Sequence, residues 1–530
     1  MQTLDIDLTP QEYCTDSLLH EAVARKAHLS GCDIRHIEIK RRSLDSRRGR
    51  LIYHTTVEIF CNEDFSVPIY HGHYQDCRQR PAVIIIGAGP AGLFAALRAL
   101  EIGLKPVIIE RGRPVEDRRF DIAQLARTQN VNPNSNWCFG EGGAGTYSDG
   151  KLYTRSNKRG NIQDVLNRFI EHGADPSIAI DAHAHIGTDR LGGIIANMRH
   201  TIEEYGGEYH FSTRVVDLVT RPNGATTEVC GVKDHEGNEY HGIAVILATG
   251  HSARDIYELF HQRGWVLEAK PFALGVRVEH PQALINEIQY HARNISDKTQ
   301  LQYLPPAAYS LTTQVDGHGV FSFCMCPGGV IVPAATDSGQ QVVNGMSNAK
   351  RNSPFANSGI AVTVSLADVP QYAQHGSLAL LRFQQDVEKK IFEAANNSIT
   401  SPIQRLTDFC QGRMSRHNNK SNYLGSTLNS PIHELLPDFI VRGLQQGFLD
   451  FGHKMHGFYT DQASVLAVES RTSSPVRIPR DDTFQHPQLR RLYPCGEGAG
   501  YAGGIVSSAM DGIRTIETIA ASSMQPTLKH

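Results

Sequence analysis

Short apolar runs separated by a glycine-rich turn organise residues 81–112. The run Val83–Ile86 is rich in β-branched residues, which is typical of a buried parallel strand. The pattern then predicts a helix that ends at about Glu101 and a second buried strand over Pro106–Ile109. This order predicts one strand–helix–strand unit of a parallel sheet.

The pattern of apolar positions predicts further elements on both sides of this unit. Thr9, Pro10 and Glu12 predict a capped helix to about residue 29, and strands follow near residues 34–39 and 51–60. Farther along, the pattern predicts a mostly helical segment 161–205, a strand at 208–218 and a β-meander over 228–241. It also predicts a buried strand at 243–247, strands at 319–326 and 329–332, and helices at 377–396 and 505–521. Residues 344–362 are too polar and irregular for a core element, so we expect an ordered functional loop there.

The length of 530 residues predicts two or three domains in an α/β protein. We expect a small N-terminal α+β domain over residues 1–78. A Rossmann-like domain with three layers, a parallel sheet plus a β-meander, would use residues 79–264 and 486–530. An inserted α+β cap domain for the substrate would cover residues 265–485.

The turn after the first strand carries the pattern Gly87-x-Gly89-x-x-Gly92. The first glycine permits a tight turn, the second allows close approach of a pyrophosphate, and the third lets the helix pack on its strand. Pro90 suits the first helical turn, whose N-terminus attracts phosphate. Glu110 ends the second strand at the separation expected for an acid that holds ribose hydroxyls, which favours FAD or NAD over NADP.

Two other glycine-rich segments are candidates for ligand contact. Residues 139–152 contain four glycines between Gly140 and Gly145, and a backbone with so few side chains can lie against a flat ring. Near the C-terminus, Gly498, Gly500 and Gly503 match the dinucleotide pattern formally, but no acid-terminated unit follows. The sequence therefore predicts one dinucleotide site and no second complete nucleotide-binding unit.

Composition and charge exclude several classes of protein. The net charge of −3 and the isoelectric point of about 6.8 provide no general basic excess for nucleic acid or membrane. The N-terminal residues do not resemble a signal peptide, and the glycines and Pro90 interrupt the longest apolar stretch, so we expect a cytoplasmic protein without a membrane span.

Three local patterns have both a structural and a functional interpretation. Residues 40–50 include six basic residues, which suit a solvated hairpin end better than an RNA-binding patch. Cys324 and Cys326 form a C-x-C pair, for which structural thiols are the expectation and a redox pair the alternative. His183 and His185 lack a matching ligand cluster, so no metal is predicted.

The residues GAGPAG (87–92), ATG (248–250) and CGEGAGYAGGI (495–505) together resemble the FAD-dependent oxidoreductases of the glutathione-reductase-like fold. More narrowly, the chain is similar to the bacterial FAD-utilising dehydrogenases through FGEGGAGTYSDGKL (139–152), HIGTDRL (185–191), CPGGVIVPAAT (326–336) and the NAKRNSPFANSG loop. This resemblance covers nearly the whole chain and is specific for the cofactor rather than the substrate.

The resemblance implies that Glu497 serves the ribityl chain of FAD, where Asp is usual, that Gly504 and Ile505 face the flavin, and that Val215 lies beside the adenine. The full set of residues expected to bind FAD is Gly87, Ala88, Gly89, Pro90, Ala91, Gly92, Glu110, Arg111, Gly143, Gly145, Val215, Ala248, Thr249, Gly250, Gly496, Glu497, Gly504 and Ile505.

These observations favour an FAD-dependent oxidoreductase or dehydrogenase that transfers hydride between flavin and a small organic molecule. Either NAD(P)H binds transiently in the cap cleft, or the electron partner is another molecule such as a protein. A flavin-dependent RNA-modifying protein and a non-catalytic flavin-binding redox sensor are the alternatives. The sequence does not name a proton donor: Lys151, Arg351 and Cys326 suit positioning or packing.

Overall fold

A three-stranded antiparallel sheet opens the chain in the computed structural model, which describes residues 2–30, 33–47, 50–61, 63, 65, 70–152, 160–224 and 226–523. Its elements are β1 (Gln2–Leu8), α1 (Pro10–Cys14), α2 (Asp16–Ala27), β2 (His36–Asp45) and β3 (Ile52–Phe60), with strand order β1-β3-β2. The capping box of Thr9 and Glu12 is confirmed. The single predicted helix is wrong, because Thr15 is extended and divides it in two, and β1 was not predicted.

The next segment contributes most of a parallel sheet and an antiparallel meander. Its strands are β4 (Ala82–Ile86), β5 (Lys105–Ile109), β6 (Glu208–His210), β7 (Val215–Asn223), β8 (Thr226–Asp234), β9 (Glu239–His241) and β10 (Ala244–Leu247), and its helices are α3 (Pro90–Glu101), α4 (Val115–Thr128), α5 (Ile162–Glu171), α6 (Thr188–Glu204) and α7 (Arg254–Gln262). The predicted strand at 208–218 is wrong. A turn with positive φ at Ser212 divides it, so that β6 pairs with β5 and β7 pairs with β8.

The region predicted to be the cap, which keeps that name below, contains a seven-stranded sheet. The elements of this region are β11 (Glu268–Ala269), β12 (Phe272–Pro281), α8 (Gln282–Gln289), β13 (Thr312–Val315), β14 (His318–Cys326), β15 (Val330–Pro333), β16 (Val343–Met346), β17 (Phe355–Val364), α9 (Ala379–Ala394), β18 (Ser401–Arg405), α10 (Leu406–Cys410), β19 (Thr427–Asn429), α11 (Ile432–Leu435), α12 (Asp438–Lys454), β20 (Ser464–Glu469), β21 (Val476–Arg477) and β22 (Leu489–Arg490). The order in the large sheet is β13-β14-β17-β12-β20-β18-β19.

The expectation that residues 344–362 lack core structure is wrong, because β17 is an inner strand of this sheet. Its polar residues Asn357 and Ser358 are buried, and the Asn357 Oδ1 accepts a hydrogen bond of 2.8 Å from Arg277 Nε. A buried arginine needs acceptors, so polar side chains are required at these strand positions.

The chain returns to the first sheet with β23 (Leu492–Pro494) and then α13 (Ile505–Ser523). The five parallel strands have the order β23-β10-β4-β5-β6. Val83 and Ile85 of β4 pack against α3 and α13, whereas Ile84 and Ile86 pack on the side of the meander and α7. The α/β class with a parallel sheet is confirmed, and the exact domain boundaries stay predictions.

Within the described residues, no helix has both the length and the apolar character needed to cross a membrane.

Candidate functional site

A cavity of about 330 Å³ lies where the carboxyl ends of β4, β5, β10 and β23 meet the cap. This is the edge of an open parallel sheet at which α/β proteins bind ligands. The cavity is lined by every residue of the predicted FAD set except Ala88 and Gly92. The structure therefore brings three distant glycine-rich segments to one place, while contact of each residue with FAD stays a prediction.

The three glycines of the first turn are required for different reasons. A Cβ on Gly92 would lie 2.0 Å from the Gly87 oxygen, and one on Gly87, whose φ is +106°, would lie 2.5 Å from the Ala248 oxygen. At Gly89 the backbone is extended and the nearest atom would be 3.9 Å away. Packing within the chain thus requires Gly87 and Gly92, whereas the space beside Gly89 opens into the cavity and suits a phosphate group at the N-terminus of α3.

Glu110 links this turn to neighbouring backbone segments by hydrogen bonds. Its carboxylate accepts hydrogen bonds from the backbone N–H groups of Ala88 (2.8 Å), Gly112 (2.9 Å) and Gly140 (3.0 Å). A carboxylate has about four acceptor positions, so one position remains for a ligand. Because Glu110 also lines the cavity, it can hold the turn and accept a bond from a ribose hydroxyl.

The second glycine segment rests on Arg118, which the sequence analysis missed. Arg118 is fully buried, and its guanidinium donates to the backbone oxygens of Asn136 (2.7 Å), Glu141 (2.6 Å) and Gly143 (3.0 Å). A 3₁₀ turn, Gly143–Tyr147, follows and lies against the first glycine turn. The segment is therefore a supported wall of the cavity.

The C-terminal strand and helix form another wall. One Glu497 oxygen accepts a hydrogen bond from Gly504 N–H, and the other lies 3.2 Å from His251 Nδ1. Burial would raise the pKa of Glu497, but the bonds from His251 and Gly504 outweigh it and hold the pKa below its usual value. Glu497 is therefore an anion beside the N-terminus of α13, and its side chain remains 29% exposed.

Of the formal second glycine pattern, only Gly503 lines this cavity, whereas Gly498 and Gly500 do not. Gly503 and Gly504 line it, and a Cβ on either would meet no atom within 4 Å. The open space beside Gly503 and Gly504 thus belongs to the cavity already described, and the absence of a second nucleotide site stays a prediction.

Side chains of the cap close the cavity opposite the parallel sheet. They are Phe323, Cys324, Asn344, Arg471 and Thr472. Arg471 and Arg254 share one buried partner, Glu388, whose carboxylate lies 3.3 Å and 2.8 Å from them. Two arginines against one carboxylate leave a local excess of positive charge around Arg471, which lines the cavity and can attract an anionic group of a ligand.

Charged residues also follow the second glycine segment. The buried Asp149 pairs with Arg351 and lies 3.8 Å from Lys151 Nζ. Asp149 and Lys151 both line the cavity, and Lys151 donates to the Met325 oxygen of the cap. The predicted positioning role of Lys151 and Arg351 is consistent with these contacts.

Three basic residues of the segment 40–50 pair with acids. Lys40 pairs with Glu58, Arg42 with Asp181, and Arg47 with Asp45. Residues 48 and 49 of this segment lie outside the described residues. Ion pairs within the chain compete with phosphate, so this surface does not favour RNA binding.

Side chains from remote elements were missed by sequence reasoning. Arg118, His251 and Arg471 follow no motif spacing that marks a cofactor site. For two of them, the position in the chain was an available signal: His251 follows the Ala248–Gly250 motif directly, and Arg118 follows Glu110 by eight positions.

Comparisons with known families agree with this geometry. Residues 82–119 match a model described as an FAD binding domain, and residues 271–472 match one described as FAD-dependent protein, C-terminal domain-like. Residues 1–60 match a domain of unknown function.

Solved structures that resemble the chain include 2,6-dihydroxypyridine-3-hydroxylase from Arthrobacter nicotinovorans, at 11% identity, 84% coverage of this chain, 86% of that chain and a TM-score of 0.36. A geranylgeranyl bacteriochlorophyll reductase-like protein from Thermoplasma acidophilum matches at 13% identity, 84% and 80% coverage and a TM-score of 0.34. At TM-scores this low, the resemblance does not bear on function.

A protein of Clostridium beijerinckii described as uncharacterised is 36% identical over 525 residues, which cover 95% of this chain and 96% of that protein. The chain therefore belongs, with the Clostridium beijerinckii protein, to a family of FAD-dependent proteins, and FAD is its cofactor.

Proposed function

We propose that the protein is an FAD-dependent oxidoreductase that transfers hydride between flavin and a small organic substrate. One observation carries the proposal: a single cavity joins the three glycine-rich segments to side chains of the cap. A cofactor site continuous with cap side chains provides space for a substrate beside the reactive ring, as expected of an enzyme.

Different segments would hold different parts of FAD. The N-terminus of α3 and the open space at Gly89 suit the pyrophosphate, and Glu110 suits the ribose. Glu497 and the N-terminus of α13 suit the ribityl and ring end, where the helix dipole stabilises negative charge. The excess positive charge of Arg254 and Arg471 supports the same assignment of an anionic cofactor.

FAD, when bound, supplies the hydride chemistry, and the protein supplies position and electrostatics. Phe323 and Asn344 bound the cavity on the cap side and would limit the size of a substrate. Lys151 offers a cation next to Cys324, which suits a substrate with an anionic or carbonyl oxygen. The ion pair between Asp149 and Arg351 stabilises the part of the chain next to Lys151.

The first test is an anaerobic titration of the purified protein with NADPH and with NADH, following loss of the oxidised flavin absorbance. Rapid bleaching by one of them means that the cavity accepts a nicotinamide. Bleaching by dithionite alone means that the electrons come from the substrate or from another protein. A protein that stays colourless after reconstitution with FAD contradicts the proposal.

A further inference from the structure

Two cysteine thiols of β14 lie together at the cap side of the cavity. The strand departs from regular pairing between Phe323 and Cys326, and Cys324 has a positive φ of 46°. Both residues are free thiols in the structure. The Cys326 Sγ also lies 3.2 Å from the Cys324 oxygen. The irregular backbone thus turns the Cys326 sulfur back toward Cys324.

The two thiols differ in their access to the cavity. Cys324 lines it, whereas Cys326 is fully buried behind it. Phe323, next in the chain, also lines the cavity. An accessible sulfur backed by a buried one is the arrangement of an attacking and a resolving cysteine.

Positive charges surround the pair. The Arg277 guanidinium donates to the Cys324 oxygen at 2.5 Å and lies 3.6 Å from Cys326 Sγ, and Lys151 donates to the Met325 oxygen between the two cysteines. Glu469 is the ion-pair partner of Arg277 at 2.7 Å, and Asp149 is the nearby acid of Lys151 at 3.8 Å.

These surroundings make the two thiols chemically unlike. The hydrogen bond from Cys326, followed by the charges of Lys151 and Arg277, lowers the pKa of Cys324 to about 5 despite burial. The same hydrogen bond, together with burial, raises the pKa of the Cys326 thiol well above its usual value. Cys324 is therefore the more easily ionised of the two, and the thiolate is the reactive form of a cysteine.

We propose that Cys324 and Cys326 are a redox-active pair that exchanges two electrons with FAD. This rests on the proposed function, since FAD must act as the oxidant. Oxidation forms one S–S bond and releases two electrons, together with the proton of Cys326. FAD takes up the two electrons, the proton from Cys326 and one proton from solvent, and is reduced to its dihydro form. In the reverse direction, reduced FAD opens the disulfide.

In this scheme the protein stores two pairs of electrons, one on the flavin and one on the two sulfur atoms.

The test is an anaerobic dithionite titration of holoprotein that has first been oxidised with ferricyanide and desalted. We expect wild type to consume about four electron equivalents per FAD, because a disulfide takes two in addition to the flavin. C324S and C326S each consume about two. The control C230S, whose cysteine is in the meander away from the cavity, behaves as wild type.

A thiol count with Ellman's reagent in denaturant provides a second readout that does not depend on flavin absorbance. Oxidised wild type and C230S gain two thiols on reduction, whereas the C324S and C326S variants gain none. Consumption of two electron equivalents by oxidised wild type, with an unchanged thiol count, overturns the redox pair and leaves the oxidoreductase intact. A protein that does not bind FAD overturns both proposals.

Discussion

Gly89 and Gly92 of the first turn are glycines for different reasons: Gly89 leaves space in the cavity, whereas Gly92 allows the chain to pack against itself. Substitutions at the two positions should therefore have different effects. The Gly89→Val variant keeps an allowed backbone but places its side chain in the cavity, so we expect FAD affinity to fall by about tenfold to a hundredfold, matching about 1–3 kcal/mol for overpacking. The melting temperature of the apoprotein should not change. FAD titration by fluorescence and thermal unfolding measure the two effects.

The matched variant is Gly92→Ala. Its Cβ would lie 2.0 Å from the Gly87 oxygen, so the apoprotein itself should lose stability. A G89V protein that melts early, or a G92A protein as stable as wild type, contradicts the distinction.

Sequence patterns predict residues of this kind well, because each glycine has a fixed position in a local turn. They predict single buried partners poorly. Arg471 lines the cavity and Arg118 supports its wall from behind, and the role of each depends on which backbone oxygens or carboxylates the fold brings to it. Nothing in the local sequence contains that information.

The 3₁₀ turn Gly143–Tyr147 is supported by Arg118 of α4, a helix none of whose residues lines the cavity. We expect Arg118→Met to remove a donor from three backbone oxygens, of which Glu141 O keeps a bond from Thr146 Oγ1 at 3.2 Å, and to loosen the glycine segment, because each buried acceptor left unsatisfied costs about 1–3 kcal/mol. Hydrogen exchange of residues 140–147 should accelerate and FAD binding should weaken.

The control for this variant is Arg119→Met, since Arg119 is the exposed neighbour on the same helix. Its exchange and FAD binding should match those of wild type. Equal effects of R118M and R119M would show that the helix, rather than the buried guanidinium, supports the segment.

Elements with strong apolar patterns, such as β4, α3 and β5, were predictable to within one or two residues. The strand β17 was not, because a buried ion pair requires polar residues at core positions. Asn357 bonds to Arg277, which pairs with Glu469 on another strand. Patterning identifies a core by its apolar residues, so it fails where the core contains charge.

The cap and the parallel sheet are joined by the cluster of Arg254, Glu388 and Arg471. Glu388→Gln leaves two buried arginines without a counter-charge, and we expect a loss of about 3–5 kcal/mol in the free energy of unfolding. The exposed Glu393 is on the same helix and pairs only weakly with Lys389, so E393Q should lie within about 0.5 kcal/mol of wild type. Urea unfolding of both variants checks this.

The pH dependence of this cluster has a defined sign. Burial would raise the pKa of Glu388, but Arg254 and Arg471 outweigh it and lower the pKa from 4.5 to about 2. A depressed carboxyl pKa stabilises the fold fully above pH 4.5 and loses that contribution as pH falls toward 2. The stability difference between wild type and E388Q should therefore shrink between pH 4.5 and 2, and a constant difference would contradict it.

The strand β23 lies at one edge of the parallel sheet next to β10, yet the entire cap separates the two strands in the chain. During synthesis on the ribosome, the backbone N–H and C=O groups on one edge of β10 therefore stay unpaired until β23 has emerged. A wall of the cavity arrives with the same segment, so the FAD site is complete only after β23 and the start of α13 have emerged. Nascent chains stalled within the cap should accordingly recruit chaperones rather than the cofactor.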